Sequence, residues 1–281
     1  MTIAQRIAAD PAARENRGSR ARCLLFTDRG SAEVAQELTR LTDGWAEVDA
    51  DRDCWMPRGS ENRAEAKIGE TPDFVSDPAA VELVRWWLAV QASPDSTRRA
   101  NIPNWDIAST AHISGRKGLL LVEAKAHAGE MGESGKEKKS DASKASLDNH
   151  EQIGAAIQQA NHGLRVATGL KWGLSRDSHY QLANRFAWAW KIASLGIPVA
   201  LVYLGFIDAT EMGGNGRRLI GSQKAWEDIV KRHAKGTVPE SIWDATIQVP
   251  SQPQADAGAP TEESTPVRAI VKAIRLDIPR D

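Results

Sequence analysis

The most regular hydrophobic pattern in the chain is a pair of apolar runs in residues 102–127, separated by a polar turn. The turn is the segment Ser114-Gly115-Arg116-Lys117-Gly118, and residues 119–122 after it are all Leu or Val. Two apolar runs on either side of a glycine-containing turn predict a β-hairpin. A strand as apolar as 119–122 is expected to be buried on both faces of its sheet.

Charged residues stand at the end of this buried strand. Side chains alternate between the two faces of a strand, so Glu123 and Lys125 share one face and Ala124 lies on the other. A buried strand rarely ends in two opposite charges that have no task. If the hairpin also brings Asp106 beside Glu123, two carboxylates and one ammonium group meet at one edge of the sheet.

Alternating strand and helix patterns along the rest of the chain predict an α/β fold with a mixed central sheet and helices on both faces. The predicted strands outside the hairpin are residues 23–27 and 198–206. The predicted helices show apolar positions at helical spacing; they are residues 32–41, 79–91, 150–164, 179–195 and 226–235.

Changes in composition divide the chain into three parts. Residues 1–76 form a predicted N-terminal βα extension followed by a loop, and residues 77–249 contain the hairpin and form the predicted core. Residues 250–281 are a predicted linker, rich in Pro and Ala, and a C-terminal segment of mixed apolar and basic residues.

The segment 129–146 is rich in Gly, Ser and Lys and nearly lacks apolar residues, so it is predicted to be a mobile loop. Its lysines Lys136, Lys138, Lys139 and Lys144 could contact a phosphate backbone as the loop closes over a substrate. The alternative is a loop that is only solvated.

Composition limits the function classes. With 41% hydrophobic residues the chain can build an ample core, and its net charge of −1 means that any nucleic-acid surface must be local. Cys23 and Cys54 form no CxxC pattern, which argues against a cysteine zinc or iron–sulfur site and against a disulfide scaffold. We find no signal peptide and no apolar run that could span a bilayer. A cytoplasmic location without membrane contact is expected.

The chemistry of two carboxylates beside a lysine favours a metal site. Mg²⁺ binds carboxylate oxygens, keeps several waters and completes its shell with substrate phosphate oxygens. Asp106 and Glu123 would supply two such ligands. Lys125 could orient or activate the attacking water, or stabilise charge that develops on the phosphate.

Asp106 followed by Glu123-Ala124-Lys125 after an apolar strand resembles the PD-(D/E)xK nuclease superfamily, with Pro103 three residues before Asp106 instead of adjacent to it. The likeness spans residues 80–207. It implies a restriction-endonuclease-like core and a metal held by Asp106, Glu123 and the main chain of Ala124. The ion would be Mg²⁺, with Mn²⁺ as the alternative, and the reaction would be hydrolysis of DNA.

The resemblance also indicates two supporting residues. A helix before the sheet often supplies an extra carboxylate, and Glu82 is the candidate, the alternative being a solvated surface residue. A polar residue early in the helix after the hairpin often orients phosphate or water, and Gln152 is the candidate. A second ExK sequence, Glu65-Ala66-Lys67, has no apolar run before it, so we expect it to lie outside the site.

The sequence thus predicts metal-dependent phosphodiester hydrolysis by an endonuclease of the restriction, defence or repair type. DNA is the expected substrate, and RNA or a nucleotide-like small molecule is the alternative. A further alternative is an inactive module with the same fold that binds nucleic acid or protein. The oligomeric state is left open, with a dimer as one option.

Overall fold

The computed structural model describes residues 1–10, 13–89, 102–138, 141–213, 217–251 and 264–278. This part of the chain forms seven α-helices and six β-strands. The helices are α1 (Ile3–Ala9), α2 (Gly18–Thr27), α3 (Ser31–Leu41), α4 (Asp77–Trp87), α5 (Lys144–Thr168), α6 (Tyr180–Ser194) and α7 (Gln223–Ala234). The strands are β1 (Trp55–Met56), β2 (Ile107–Ile113), β3 (Arg116–Lys125), β4 (Val199–Ile207), β5 (Thr246–Pro250) and β6 (Ser264–Arg275).

The six strands form one mixed sheet in the order β1-β2-β3-β4-β6-β5. β3 pairs in parallel with β4, and β4 in parallel with β6, while the remaining pairs are antiparallel. The predicted α/β class with a mixed central sheet is therefore confirmed.

The hairpin of β2 and β3 is also confirmed. Ile107 lies opposite Val122, so the same register continued by one residue places Asp106 opposite Glu123. The turn between the strands is Ser114-Gly115, whose φ angles are 52° and 76°. Two successive positive φ angles make the tight turn whose twist matches that of the flanking strands. The turn thus fixes the register that brings the two carboxylates to one strand end.

Both faces of the sheet are covered by helices. Leu119 and Leu121 of β3 pack in a core with residues of α4 to α7, whereas Leu120 and Val122 pack in a second core with residues of α1 to α3. Because side chains of one strand alternate between these cores, Glu123 and Lys125 belong to the α4–α7 side of the sheet.

The prediction of a strand at residues 23–27 is wrong, because these residues form the second half of α2. A five-residue apolar run is too short for its periodicity to distinguish a strand from a buried helix segment. The N-terminal βα extension is therefore an all-helical layer, α1 to α3, that covers one face of the sheet.

Both outer ranges of the chain contribute strands to the sheet. β1 comes from residues 1–76, and β6 comes from residues 250–281 and lies between β4 and β5. The C-terminal segment is thus a strand inside the sheet. Most of the predicted linker before it lies outside the described residues.

Two helices differ from their predicted bounds by four residues or more at one end or at both. α4 ends at Trp87 and buries Leu83, Trp86 and Trp87, while the apolar Val81 is 47% exposed. α5 begins at Lys144, where the Ser143 side chain accepts a hydrogen bond from the Ser146 N–H. The helix thus takes in the end of the loop predicted at 129–146.

Candidate active site

A cavity of about 590 Å³ opens at the carboxyl end of β3. It is lined by the three residues of the predicted metal and lysine set, Asp106, Glu123 and Lys125. Most of its other lining side chains are polar; they include Ser19, Glu65, Asn104, Glu130, Lys136, Tyr180, Gln181, Asn184 and Arg185. The structure therefore brings the core of the sequence-predicted site together around one space.

Asp106 is fixed by the backbone of the neighbouring strand. Its Oδ2 accepts a hydrogen bond of 2.8 Å from the N–H of Ala124. Burial, together with the negative charge of Glu123, raises the pKa of Asp106 to about 7. Among the described residues none donates a hydrogen bond to Oδ1, so this atom is open to a ligand.

Glu123 is 1% exposed and is held between two cations. Lys125 Nζ donates to Oε1, and the Arg185 guanidinium lies 2.6 Å from Oε2. Burial alone would raise the pKa of Glu123, but these two positive charges outweigh burial and lower it. Glu123 is therefore ionised at neutral pH, and each of its oxygens has a partner.

Lys125 keeps its proton. Burial would lower the pKa of this ammonium group, but the charges of Glu123 and Asp106 raise it above its ordinary value. A protonated lysine can donate hydrogen bonds to water or phosphate, but it cannot act as a base. Of the roles predicted for Lys125, orienting the water and stabilising phosphate charge suit this state.

Arg185 is the main residue of the site that the sequence did not reveal. As a charged residue of a predicted helix it could face phosphate or be only solvated, but it is buried in α6 and contacts Glu123. Its guanidinium also donates to the Asn104 carbonyl at 2.7 Å and lies 4.4 Å from the centre of the Trp105 ring. A weak signal was present, since most polar side chains of this largely apolar helix cluster at its start, at Tyr180-Gln181 and Asn184-Arg185.

The two predicted supporting residues lie elsewhere. Glu82 pairs with the buried ammonium of Lys191 at 2.8 Å. The Gln152 side chain donates to the Trp86 carbonyl at 2.8 Å, which fastens α5 to α4. Neither is among the described residues that line the cavity. Both correspond to packing contacts between helices, which the helical period alone could not distinguish from a site position.

Glu65, which was expected to lie outside the site, lines the cavity. The N–H of Trp105 donates to the Ala66 carbonyl at 2.9 Å, so this loop runs beside the start of β2. The Asn104 amide donates to Glu65 at 2.9 Å, and Arg20 pairs with the same carboxylate. The hydrophobic pattern around Glu65 could not predict this position, because it depends on contacts with residues far away in the sequence.

Part of the loop predicted to be mobile is joined to the body of the protein. The Lys136 N–H donates to the Arg176 carbonyl at 2.7 Å, and the His179 N–H donates to the Glu133 carbonyl at 2.9 Å. The Lys136 ammonium lies 5.0 Å from the centre of the Tyr180 ring and lines the cavity. Of the other lysines considered there, Lys139 lies outside the described residues and Lys144 pairs with Asp148 in α5.

A second cluster of potential metal ligands lies beside this segment. One ligand atom each from Glu133, His179 and His233 lies within 4.8 Å of the other two. The His179 and His233 rings meet edge to face, with centroids 4.7 Å apart. The three residues are far apart in the sequence, so no spacing pattern could have indicated them.

No family model, curated protein or solved structure matches this chain. In the described part of the chain, no helix is both long and apolar enough to cross a membrane. The interpretation of the cavity therefore rests on its own geometry and chemistry.

Proposed function

We propose that this chain is a metal-dependent nuclease of the PD-(D/E)xK type that hydrolyses phosphodiester bonds in DNA. The observation that carries the proposal is the meeting of Asp106, Glu123 and Lys125 at one cavity, at the carboxyl end of a buried strand. Endonucleases of restriction, defence or repair have this chemistry in common. The two free cysteines fit work in a reducing cytoplasm.

The donor set fits Mg²⁺ or Mn²⁺. Asp106 and Glu123 offer hard carboxylate oxygens, and the main-chain carbonyl of Ala124 is the third proposed ligand. For Glu123 to bind the ion, its Oε1 must release the Lys125 ammonium and contact the ion instead. Its Oε2 can remain paired with Arg185. When bound, the ion supplies Lewis-acid stabilisation of the phosphate and a water of lowered pKa.

The chain's own cations have separate tasks in this proposal. Lys125, released from Glu123, donates to the attacking water and to a phosphate oxygen. Arg185 stays on Glu123 and keeps that carboxylate ionised and oriented. Lys136, which also lines the cavity, offers a positive charge to the phosphate next to the scissile one.

A cleavage assay on plasmid and linear DNA tests the proposal. With Mg²⁺ or Mn²⁺ we expect cleavage that chelator abolishes, and we expect Lys125→Ala and Asp106→Asn to reduce the rate by at least about a hundredfold. Glu82→Gln is the matched control, because Glu82 pairs with Lys191 outside the cavity, and its rate should stay within about twofold. Parallel reactions with single-stranded DNA and with RNA decide the substrate.

One observation favours the second candidate, an inactive module that binds nucleic acid. Both oxygens of Glu123 are already paired with Lys125 and Arg185, as in a site that needs no metal. That candidate predicts binding of DNA without cleavage under every metal condition. It also predicts that Lys136→Ala weakens binding, whereas Asp106→Asn leaves binding unchanged.

A further inference from the structure

Glu133, His179 and His233 come from three separate elements that meet beside the cavity. Glu133 lies in the segment that follows β3, His179 caps the start of α6, and His233 lies in the last turn of α7. Glu133 is exposed and the two histidines are half-buried. An ion held by all three would cross-link these elements.

The backbone holds two of these residues in place before any ion binds. The His179 N–H donates to the Glu133 carbonyl at 2.9 Å, and the next N–H, of Tyr180, donates to the Ser134 carbonyl at 3.1 Å. Gly135 is a necessary part of this contact, because a Cβ there would lie 2.4 Å from the main chain of Asp177. The segment therefore runs against the chain before α6 in a close, built arrangement.

His179 adopts an unusual backbone conformation. Its φ is 47°, in the left-handed region that few residues other than glycine, asparagine, aspartate and histidine occupy. This conformation points the chain into α6 and leaves the imidazole against the ring of His233. Such local strain persists only where surrounding contacts hold it, and it is concentrated at functional sites.

We propose that Glu133, His179 and His233 form a binding site for a Zn²⁺-class transition-metal ion, distinct from the Asp106 and Glu123 site. Two imidazoles and one carboxylate are a ligand set that such ions favour, and they leave a fourth position for water. Mg²⁺ prefers oxygen ligands, so this site does not compete for the proposed catalytic ion. The lack of a CxxC pattern argues only against zinc sites that are built from cysteines, and this cluster contains no cysteine.

The distances allow coordination after a small contraction. In a tetrahedral complex the ligand atoms lie about 3.4 Å apart, since each bond to zinc is about 2.1 Å long. The atoms of this cluster lie within 4.8 Å of one another, so their separations must shrink by at most about 1.4 Å, and the exposed Glu133 side chain is the one with most room to move.

The site would fasten the wall of the cavity. Lys136, three residues after Glu133, lines the cavity and lies over the ring of Tyr180, which directly follows His179. An ion that joins Glu133 to the start of α6 would hold the segment that carries Lys136 against the start of this helix. Zinc is thus assigned a positioning role, and it contacts no reacting atom.

The test is a titration of the metal-free protein with Zn²⁺ by calorimetry and with Co²⁺ by visible absorption. We expect one Zn²⁺ ion per chain, and Co²⁺ bands typical of tetrahedral nitrogen and oxygen ligation. Glu133→Gln, His179→Asn and His233→Phe should each weaken binding by at least about tenfold, because each removes one of three ligands. Asn tolerates the left-handed conformation and Phe keeps the ring contact, so these variants preserve the fold.

Two controls define the outcome. His162→Ala removes an exposed histidine of α5 and Asp106→Asn removes a ligand of the other site, and both should keep full Zn²⁺ affinity. Hydrogen exchange in residues 131–138 should slow on addition of Zn²⁺ in the wild type and not in His233→Phe. Absence of stoichiometric Zn²⁺ binding, or binding that the three ligand variants leave unchanged, would overturn the site, whereas loss of binding in Asp106→Asn alone would move the ion to the other carboxylates.

Discussion

The guanidinium of Arg185 lies 2.6 Å from Oε2 of Glu123, and both side chains are almost completely buried. Because burying an unpaired charge costs several kcal/mol, this partner stabilises the ionised carboxylate in its buried position. α6 thus positions the carboxylate of Glu123 at the end of β3. Because of this pair, the charge and the orientation of Glu123 depend on the packing of α6 on the sheet.

Arg185→Met should therefore destabilise the protein strongly. The variant leaves Glu123 buried with Lys125 as its remaining cation, and breaking a buried pair in this way costs about 3–5 kcal/mol. The free energy of unfolding from urea titrations measures the loss. Lys224→Met is the matched control, because it breaks an exposed pair with Asp228 and should cost less than about 1 kcal/mol. Equal losses in the two variants would contradict a special role for Arg185.

Binding of Mg²⁺ should depend on pH through Asp106. The proton and the ion compete for this carboxylate, whose pKa is raised to about 7. Below that pH the apparent affinity should fall about tenfold for each pH unit, and above it the affinity should level off. Calorimetric titrations between pH 5.5 and 8.5 measure the profile. A flat profile, or one that Asp106→Asn reproduces, would show that Asp106 is not the titrating ligand.

Asp106→Asn should stabilise the metal-free protein at high pH. The pKa of Asp106 is raised from 3.8 to about 7, so the folded state binds this proton more tightly than the unfolded state. The stability that this carboxyl contributes is therefore present at low pH and is lost as pH rises from about 4 to about 7. Asparagine stays neutral and still accepts the Ala124 N–H, so the variant should unfold at a higher temperature in chelator at pH 8. A lower melting temperature there would instead make Asp106 a structural cap.

Gly163→Ala should disrupt the contact between α5 and α6. A Cβ at this position would lie 2.3 Å from the indole ring of Trp190, which is buried in the core. We expect a loss of about 1–3 kcal/mol from the overpacked contact. Gly154→Ala in the same helix is the control, since its Cβ would meet only the flexible end of Arg176, and helix propensity favours alanine there. Thermal melts of both variants should move in opposite directions.

The hairpin and its acidic end could be predicted because their signal is local. The run 119–122 is apolar enough, and the glycine turn before it specific enough, to predict the hairpin. From the sequence, the pairing of Asp106 with Glu123 was only conditional, because the predicted turn spanned residues 114–118. The structure has the two-residue turn Ser114-Gly115, with Arg116 already in β3, and this turn sets the register that places Asp106 opposite Glu123.

Residues that depend on distant partners could not be predicted. Arg185 lies in a helix that is apolar nearly all round, and the helical period does not say which element its charged side chain meets. Glu65 reaches the cavity through one bridge between Ala66 and Trp105, and residues 23–27 are too short a run to show a period. The pattern of a segment reports its own geometry, whereas the partner of a buried charge is set by the packing of the whole chain.

The position of β6 has a consequence for the order of events during synthesis. β5 is translated before β6, yet among the described strands β6 is the one that pairs with β5. β4 likewise has β6 as its neighbour on one side. Until residues 264–275 emerge, the nascent chain exposes an open edge of β4 that could pair with another chain. We therefore expect β6 to enter the sheet after β2, β3 and β4 have paired, and a chaperone that shields the β4 edge until then would raise the yield of folded protein.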